Sequence, residues 1–531
     1  MKFHFLIRLG ASLCAASGVH ATTYQVGPTR PNPDLQSVAG RLNPGDIVEV
    51  DGNATYPGGV RFTRSGTAAQ RITIRGIRIG GNRPVISGAT NTVELAGDHY
   101  TFEGFELTGG SFRCLYHHAD EIVVRDSVVH DCPAHGILGA DQDSGTLLLE
   151  FVEVYRCGSG TSQHQIYMAT DEVNHPGSVF RMRYCYVHDS TGGNNVKSRA
   201  ERNEIHYNWI EGAMFHELEL IGPDPGGAPA GWTEGLVRED SDVVGNVLWK
   251  RNDFSVTRLG GDATGQSNGR YRFVNNTIIA GTSAVFRLFD GIQSVEMHNN
   301  VLHRAAGGVN LVRQIDAVWT DGSQMAGSNN WVTTGSTNIP PAWTGTLSGT
   351  SPGFIDLTGN DLRPAAGSPL LNAGNPSPST PAAFPFGSPH FPPAFEPPPH
   401  AVMAAPAARP LDCALDIGAF ERPPGVAAVG GLNWSSPVIL TWMPSPGSGY
   451  DVVKGELATL RVSDGDFAAS VVACLENDGP DTASSDPSLP PAGDGYFYLV
   501  RAAPSGTYDG PCPDHAASRD PGILGSAFAC P

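Results

Sequence analysis

Charge is scarce in this chain, and positive charge is the scarcest kind. Only 16% of the 531 residues are charged, and 34 Lys and Arg stand against 53 Asp and Glu. The formal net charge of −19 argues against nucleic acid or an anionic membrane as the main partner. Long amphipathic helical patterns are also lacking. In their place stand 65 glycines and 42 prolines, which imply many tight turns. After the N-terminal leader, no stretch of about 18 apolar residues occurs, so no membrane-spanning helix is expected. No Cys/His spacing matches a zinc site.

The N-terminus, MKFHFLIRLGASLCAASGVHATTY, has a basic start at Lys2 and Arg8 and a short apolar stretch. Val19-His20-Ala21 follows as a small-residue cleavage pattern, so residues 1–21 read as a secretory signal peptide. The expected location is therefore extracellular or periplasmic. Eight of the nine cysteines lie beyond the leader, in an oxidising compartment where disulfides form.

The middle of the chain repeats itself. FEGFELTGG, VVRDSVVHDC, LEFVEVYRC, MRYCYVHDS, IHYNWIEG, VVGNVLWKRN, FVNNTIIAG and MHNNVLHRA share one alternating apolar pattern followed by polar turn residues. Equivalent positions fall on Phe105, Ser127, Val152, Cys185, Asn208, Asn246, Asn276 and Asn300, spaced 22 to 38 residues apart. Period-two alternation indicates strands, and the regular spacing indicates a solenoid. The expected fold is all-β: a right-handed parallel β-helix solenoid, then a small antiparallel β-sandwich. Stacked coils lie about 4.8 Å apart, so Asn208, Asn246, Asn276 and Asn300 should form an amide ladder. PDLQSVAGRL, residues 33–42, suits a short helical cap over the open N-terminal end.

These signals divide the chain. The signal peptide is followed by a capped β-helix over 22–374 and a Pro-rich insert over 375–412. A closing segment and linker span 413–424, and a β-sandwich fills 425–531. The strands around Trp442, YDVV and YFYLVRA resemble a fibronectin type III module. Cys132 and Cys157 occupy equivalent places on successive coils, which predicts a disulfide between them. Cys474 is expected to pair with Cys530 or Cys512.

Coil alignment also sets out a candidate site. Leu218 and Leu220 lie 10 and 12 residues beyond Asn208, at inward positions, so Glu219 between them points out. Phe286 and Leu288 bracket Arg287 in the same way. IYM and VKS align to put Tyr167 and Lys197 outward. Tyr167, Lys197 and Glu219 thus form one outward column, flanked by Arg199. Gln165, Asn195 and Glu217 form the neighbouring column, and His164 and His216 lie where the strands begin. Asp141 and Asp143 in ADQDSG carry the oxygen ligands that calcium takes. No other metal or cofactor is expected.

HQIYM, NNVKSRAERNEIHYN and ELELIGPDPGG resemble elements of a large group of secreted bacterial right-handed β-helix proteins, over roughly residues 22–421. VKSRAERN is similar to the Lys-Ser region of β-helix alginate lyases. That resemblance implies a base role for Lys197; the arginine those lyases use further on falls near Leu218. β-Elimination of a uronate needs a base for the C5 proton and a cation for the carboxylate. A lysine among basic neighbours yields free amine near neutral pH. Arg199 suits a bidentate carboxylate clamp, and Tyr167 suits protonation of the leaving oxygen or stacking on a sugar ring. Trp232, in the loop GPDPGGAPAGWTEG, is a further sugar-stacking candidate.

The sequence therefore points to a secreted, monomeric, carbohydrate-active protein. It would act on an acidic extracellular polysaccharide by lyase-type elimination. A non-catalytic glycan-binding or adhesion protein is the alternative. A glycoside hydrolase using Glu217 and Glu219 is the third reading. An ordinary cross-strand ion pair of Lys197 and Glu219 would be worth about 0.2–1 kcal/mol.

Overall fold

In the computed structural model, residues 21–531 are described apart from 234, 236–239, 262–266, 290, 315–324, 366, 387–391, 411–413, 423–428, 445–448, 505 and 509–518. The expected signal peptide lies outside the described residues for all but Ala21. The chain forms a parallel β-helix of about 11 turns with small antiparallel sheets at its C-terminus. It divides into two compact units. In each, three sheets (A, B and C in the order the chain visits them) wrap one apolar core.

In the first unit the short helix Gln36–Ala39 buries Val38 and Ala39, with Leu35 and Leu42 beside it, as the cap pattern predicts. Inward residues then stack in strict register. In sheet A, Val48, Ile74, Phe102, Val124, Leu149 and Met182 are successive partners. In sheet C, the run is Val60, Val93, Leu115, Ile137, Ile166 and Val196. Every one of these side chains is buried. The outward face of sheet A alternates in sign along the axis: Glu49, Arg75, Glu103, Arg125, Glu150, Arg183. Arg75 and Arg125 grip Glu103 at 2.6 and 2.7 Å. This is the charge pattern expected of cross-strand neighbours that merely stabilise a sheet.

In the second unit the amide ladder is present and extends to Asn330. Each ladder Oδ1 accepts both the backbone N–H and the side-chain N–H of the asparagine on the preceding coil. The distances run from 2.8 to 3.0 Å from Asn208 through Asn246, Asn276 and Asn300 to Asn330. The residue just before each rung (Tyr207, Gly245, Asn275, Asn299, Asn329) has a positive φ of 50–66°. That left-handed residue makes the sharp corner between sheets A and B, and the amide behind it satisfies the backbone the corner exposes.

One expectation is corrected. Cys132 bonds to Cys114, with Cα atoms 6.0 Å apart, and Cys157 is a free, buried thiol raised to about 12 by burial. Cys132 and Cys157 do sit on equivalent corners, but Cys132 turns toward the sheet C strand holding Cys114. The C-terminal pairing is Cys474–Cys530; Cys413 and Cys512 lie outside the described residues.

LDIGAFE, residues 415–421, lies within the expected closing segment. The segment runs along the side of the solenoid and covers the outer face of sheet B. Ala419 and Phe420 pack with Trp209, Val247 and Trp249, and Ile417 packs with Val301 and Trp331. Asn275 holds this strap by donating to the Asp416 carbonyl, and Asn299 and Asn329 donate to the carbonyls of Asn375 and Ala373. The Pro-rich insert is packed in its described part, where Phe395 meets the rings of Tyr184 and Tyr207. The aromatic residues that face outward on sheet B need this cover, which the sequence pattern did not assign to any partner.

Beyond the strap, two three-stranded antiparallel sheets close over Leu440, Trp442, Tyr450, Val452 and Val500. One has Gly449–Glu456 between Val471–Gly479 and Tyr496–Ala503. No helix among the described residues is long and apolar enough to cross a membrane.

The ladder generates a stability prediction. Asn276→Ala removes the acceptor of two Asn246 N–H groups and the donor to Val243 and Asn300. Each buried group left unpaired costs about 1–3 kcal/mol. Urea unfolding should show a loss of that order per orphaned group. An unchanged midpoint contradicts the ladder's stabilising role.

Candidate functional site

The outward face of sheet C in the first unit collects aromatic rings and cations. Parallel pairing places Tyr116 beside Leu138, Leu138 beside Tyr167, and Tyr167 beside Lys197. The alternation in Ile166–Ala169 and Val196–Arg199 buries Ile166, Met168, Val196 and Ser198 and leaves Tyr167 and Lys197 half-buried. The Lys197 ammonium lies 5.2 Å from the Tyr167 ring centre. Arg199 Nε donates to the Tyr167 hydroxyl at 3.1 Å. Burial raises the Tyr167 pKa and Arg199 opposes the rise, so the phenol carries its proton at neutral pH. Its oxygen accepts from Arg199, which leaves its own O–H to be donated.

Two histidines complete this cluster. The rings of His135 and His164 lie 5.9 and 5.6 Å from that of Tyr167. His135 Nδ1 accepts the backbone N–H of His164, and His164 Nδ1 accepts that of Asn194. Both imidazoles are neutral with the proton on Nε2. Burial, then Arg113 and Lys197, lowers His135 to about 4. Burial, then Lys197, holds His164 well below the ordinary value. His164 Nε2 is buried without a hydrogen-bond partner, a donor poised in a cationic pocket.

The sequence reading missed His135, Asp141 as an acid–base group, Phe112 and Arg113. Phe112 is 37% exposed and its ring is 5.7 Å from His135. Arg113 lies 4.1 Å from the Phe112 ring and 4.0 Å from that of Tyr116. A strip of rings therefore leads from Phe112 through His135 to Tyr167. The outward parity of Tyr116 was available from the repeat, but Phe112 and His135 sit at strand beginnings where turn lengths vary. Asp141 follows the strand His135–Gly139. Its carboxyl is raised by burial, with Arg199 opposing and Asp224 adding. Asp224 belongs to the loop 223–233, and Gly227 of that loop packs on Asp141. A Cβ there would meet Asp141 Oδ2 at 2.7 Å. Gln142 Nε2 donates to the Gly227 carbonyl. The loop thus walls this face, with Trp232 half-buried in it.

Several candidate residues are not placed as the sequence suggested. Gln165 and Asn195 are fully buried: Gln165 Nε2 donates to Asn195 Oδ1 at 2.7 Å and to the His188 carbonyl. They are coil-to-coil rungs, not a substrate-facing column. Arg199 is only 4% exposed and engages Tyr167, so it is not an open carboxylate clamp. Among the described residues, no group of three or more His, Cys, Asp or Glu converges to hold a metal. Asp143, expected beside Asp141 as a calcium ligand, lies 3.4 Å from His175.

In the second unit Glu217 and Lys250 form a 3.1 Å ion pair with both side chains fully buried. Burial lowers Lys250, and Glu217 pulls the other way. A Glu217/Glu219 pair for hydrolysis is therefore not available at the surface. Glu219 pairs with Arg258 at 3.0 Å, and His216 Nε2 is 3.3 Å from Arg287.

No family model matches the chain, and no curated protein matches it. Among solved structures, the pectate lyase Pel9A is similar over 76% of this chain and 98% of its own, at 12% identity and a TM-score of 0.43. An alginate lyase from Paenibacillus sp. str. FPU-7 is similar over 56% of this chain and 99% of its own, at 16% identity and 0.37. The PL6 family polysaccharide lyase Pedsa3628 from Pseudopedobacter saltans covers 58% and 88%, at 10% identity and 0.35.

The depressed histidines generate a pH prediction. His117, fully buried, is also lowered to about 4 by burial. A group whose folded pKa lies below its unfolded value gives stability that is complete above the unfolded pKa. Here that contribution is lost as pH falls from about 6.5 toward 4. Thermal melts should show falling Tm across that window, with a shallower fall for His117→Leu. The same slope in wild type and variant contradicts the assignment.

Proposed function

We propose that the protein is a secreted polysaccharide lyase acting on an acidic polysaccharide at the outward face of sheet C. One observation carries this reading: Tyr167, Lys197 and Arg199 converge, with Arg199 on the phenol oxygen and Lys197 over the ring. The use of lysine is itself informative. Of the 34 basic residues only four are lysine: Lys2, Lys197, Lys250 and Lys454. Lys250 is sealed against Glu217 and Lys454 lies 2.9 Å from Asp486. An amine can give up its proton and act as a base, which a guanidinium cannot.

In the reaction, the Lys197 amine takes the C5 proton α to the uronate carboxylate. Tyr167 gives its hydroxyl proton to the departing O4. A C4–C5 double bond forms as the C4–O4 bond breaks. Arg199 stabilises the phenolate left on Tyr167. The Nε2–H groups of His135 and His164 suit the substrate carboxylate, because neutral imidazoles donate without needing charge. The loop 223–233 limits water at this face.

A second reading is non-catalytic glycan binding, favoured by the exposed Phe112 ring beside Arg113 and Tyr116. The fibronectin type III-like reading of residues 425–531 suits a spacer or binding module in either case. A monomer exported through its leader and stabilised by disulfides fits both.

The test uses purified protein with alginate, pectate and glycosaminoglycans, read by ultraviolet absorbance of the unsaturated uronate. Lys197→Ala and Tyr167→Phe should each lower kcat by about 10²–10⁴-fold, with Tm nearly unchanged. Reducing ends without the ultraviolet signal would point to hydrolysis, with Asp141 and Asp224 as the acids to test. Binding with neither signal would leave the glycan-binding reading. Full elimination by Lys197→Ala overturns the base assignment.

A further inference from the structure

We infer that the second unit carries a polyanion-binding track, formed by Arg258, Arg287 and Arg313 on the outward face of sheet C. The three are direct register partners on successive coils, Arg258 with Arg287 and Arg287 with Arg313. Parallel strands set such neighbours about 4.8 Å apart. Glu219 stands next to Arg258 at the start of the column and pairs with it at 3.0 Å. Among the described residues, Glu219 is the carboxylate register partner at the head of this arginine column.

This arrangement departs from the chain's own habit. The outward column of sheet A in the first unit alternates Glu and Arg at every coil. In the second unit Asp240 faces Arg270, and Arg272 lies between Asp242 and Glu296. Asp242 and Arg272 meet at 2.8 Å. Like charges directly opposite on neighbouring strands are destabilising. A solenoid that neutralises its sheet A charge columns yet stacks three arginines on sheet C is keeping that column for something outside the protein.

The surroundings narrow the ligand. Arg258 lies 4.2 Å from the Phe289 ring centre, and Arg287 lies 5.4 Å from Phe289 and 5.9 Å from Phe254. Both phenylalanines are half-buried, so each ring stays partly open beside the cations. The Nε atoms of Arg258 and Arg287 are buried without hydrogen-bond partners. Arg313 is exposed. Burial lowers the Arg287 pKa, and Arg258 and Arg313 add to it, a cost that an arriving anion removes. Guanidinium groups repeated at coil spacing beside aromatic faces suit a linear polysaccharide with an anionic group on consecutive sugars. The net charge of −19 disfavours nucleic acid. The proposal stands whether or not the protein catalyses elimination.

The experiment measures binding of the full chain by calorimetry at two salt concentrations. The probes are size-defined oligogalacturonate, a sulfated oligosaccharide, neutral dextran and oligo-dT. Wild type should bind a carboxylated or sulfated oligosaccharide in a salt-sensitive way, with dextran at least tenfold weaker. Which of those two binds assigns the anion. Arg313→Ala and Arg287→Gln should each weaken binding several-fold, and the double variant at least tenfold. The exposed Arg313→Ala variant should keep the wild-type Tm, which guards against a folding effect of the buried change. Equal binding by wild type and double variant overturns the proposal. So does equal affinity for dextran, tighter binding of oligo-dT, or no binding of any probe.

Discussion

Parallel strands stacked in register are the constraint from which the rest of this molecule follows. The pairing converts each position in a coil into a column, so residues 22 to 38 apart along the chain become neighbours one strand spacing apart. Columns then take on single jobs. Inward columns of Val, Ile, Leu and Phe make the core. The corner column of asparagines satisfies backbone groups that a sharp turn would leave unpaired. Outward columns that no strap covers are free of core packing and record what the surface is for. On sheet A of the first unit that record is alternating charge, which is enough to hold coils together and asks for no ligand.

Sheet C reads differently. In the first unit its outward column passes from Tyr116 to Tyr167 and Lys197, with Arg113 held between rings and Arg199 turned onto a phenol. Burial does much of the chemistry. It keeps Tyr167 protonated and His135 and His164 neutral, so one face presents hydroxyl and imidazole donors next to an amine. In the second unit the outward column becomes three arginines. Both arrangements suit negative charge, in a chain that is itself strongly acidic.

Much of the architecture was legible in the sequence because columns leave a periodic trace. The ladder asparagines, the N-terminal cap and the outward parity of Tyr167 and Lys197 all follow from alternation and repeat spacing. What could not be read depends on contacts between different parts of the repeat. Cys132 met Cys114 across the coil, because equivalence of position with Cys157 says nothing of where a thiol points. Gln165, Asn195 and Glu217 looked like surface groups because turn lengths vary just before sheet C. A shift of one residue there exchanges buried for exposed. The strap at 415–421 falls within the expected closing segment, but its destination depended on outward tryptophans that the alternation alone left unexplained. His135, Phe112 and Arg113 carry no local signature and are assembled only by stacking.

The claim at the centre is that the outward face of sheet C around Tyr167 and Lys197 receives an anionic sugar. A crystal structure of the Lys197→Ala variant with a bound uronate oligosaccharide tests it most directly. The account predicts a sugar whose ring lies along the Phe112–His135–Tyr167 strip, with its carboxylate at His135 or His164 and a glycosidic oxygen within hydrogen-bond reach of the Tyr167 hydroxyl. An oligosaccharide bound elsewhere, with Tyr167 sealed beneath the 223–233 loop, would contradict it.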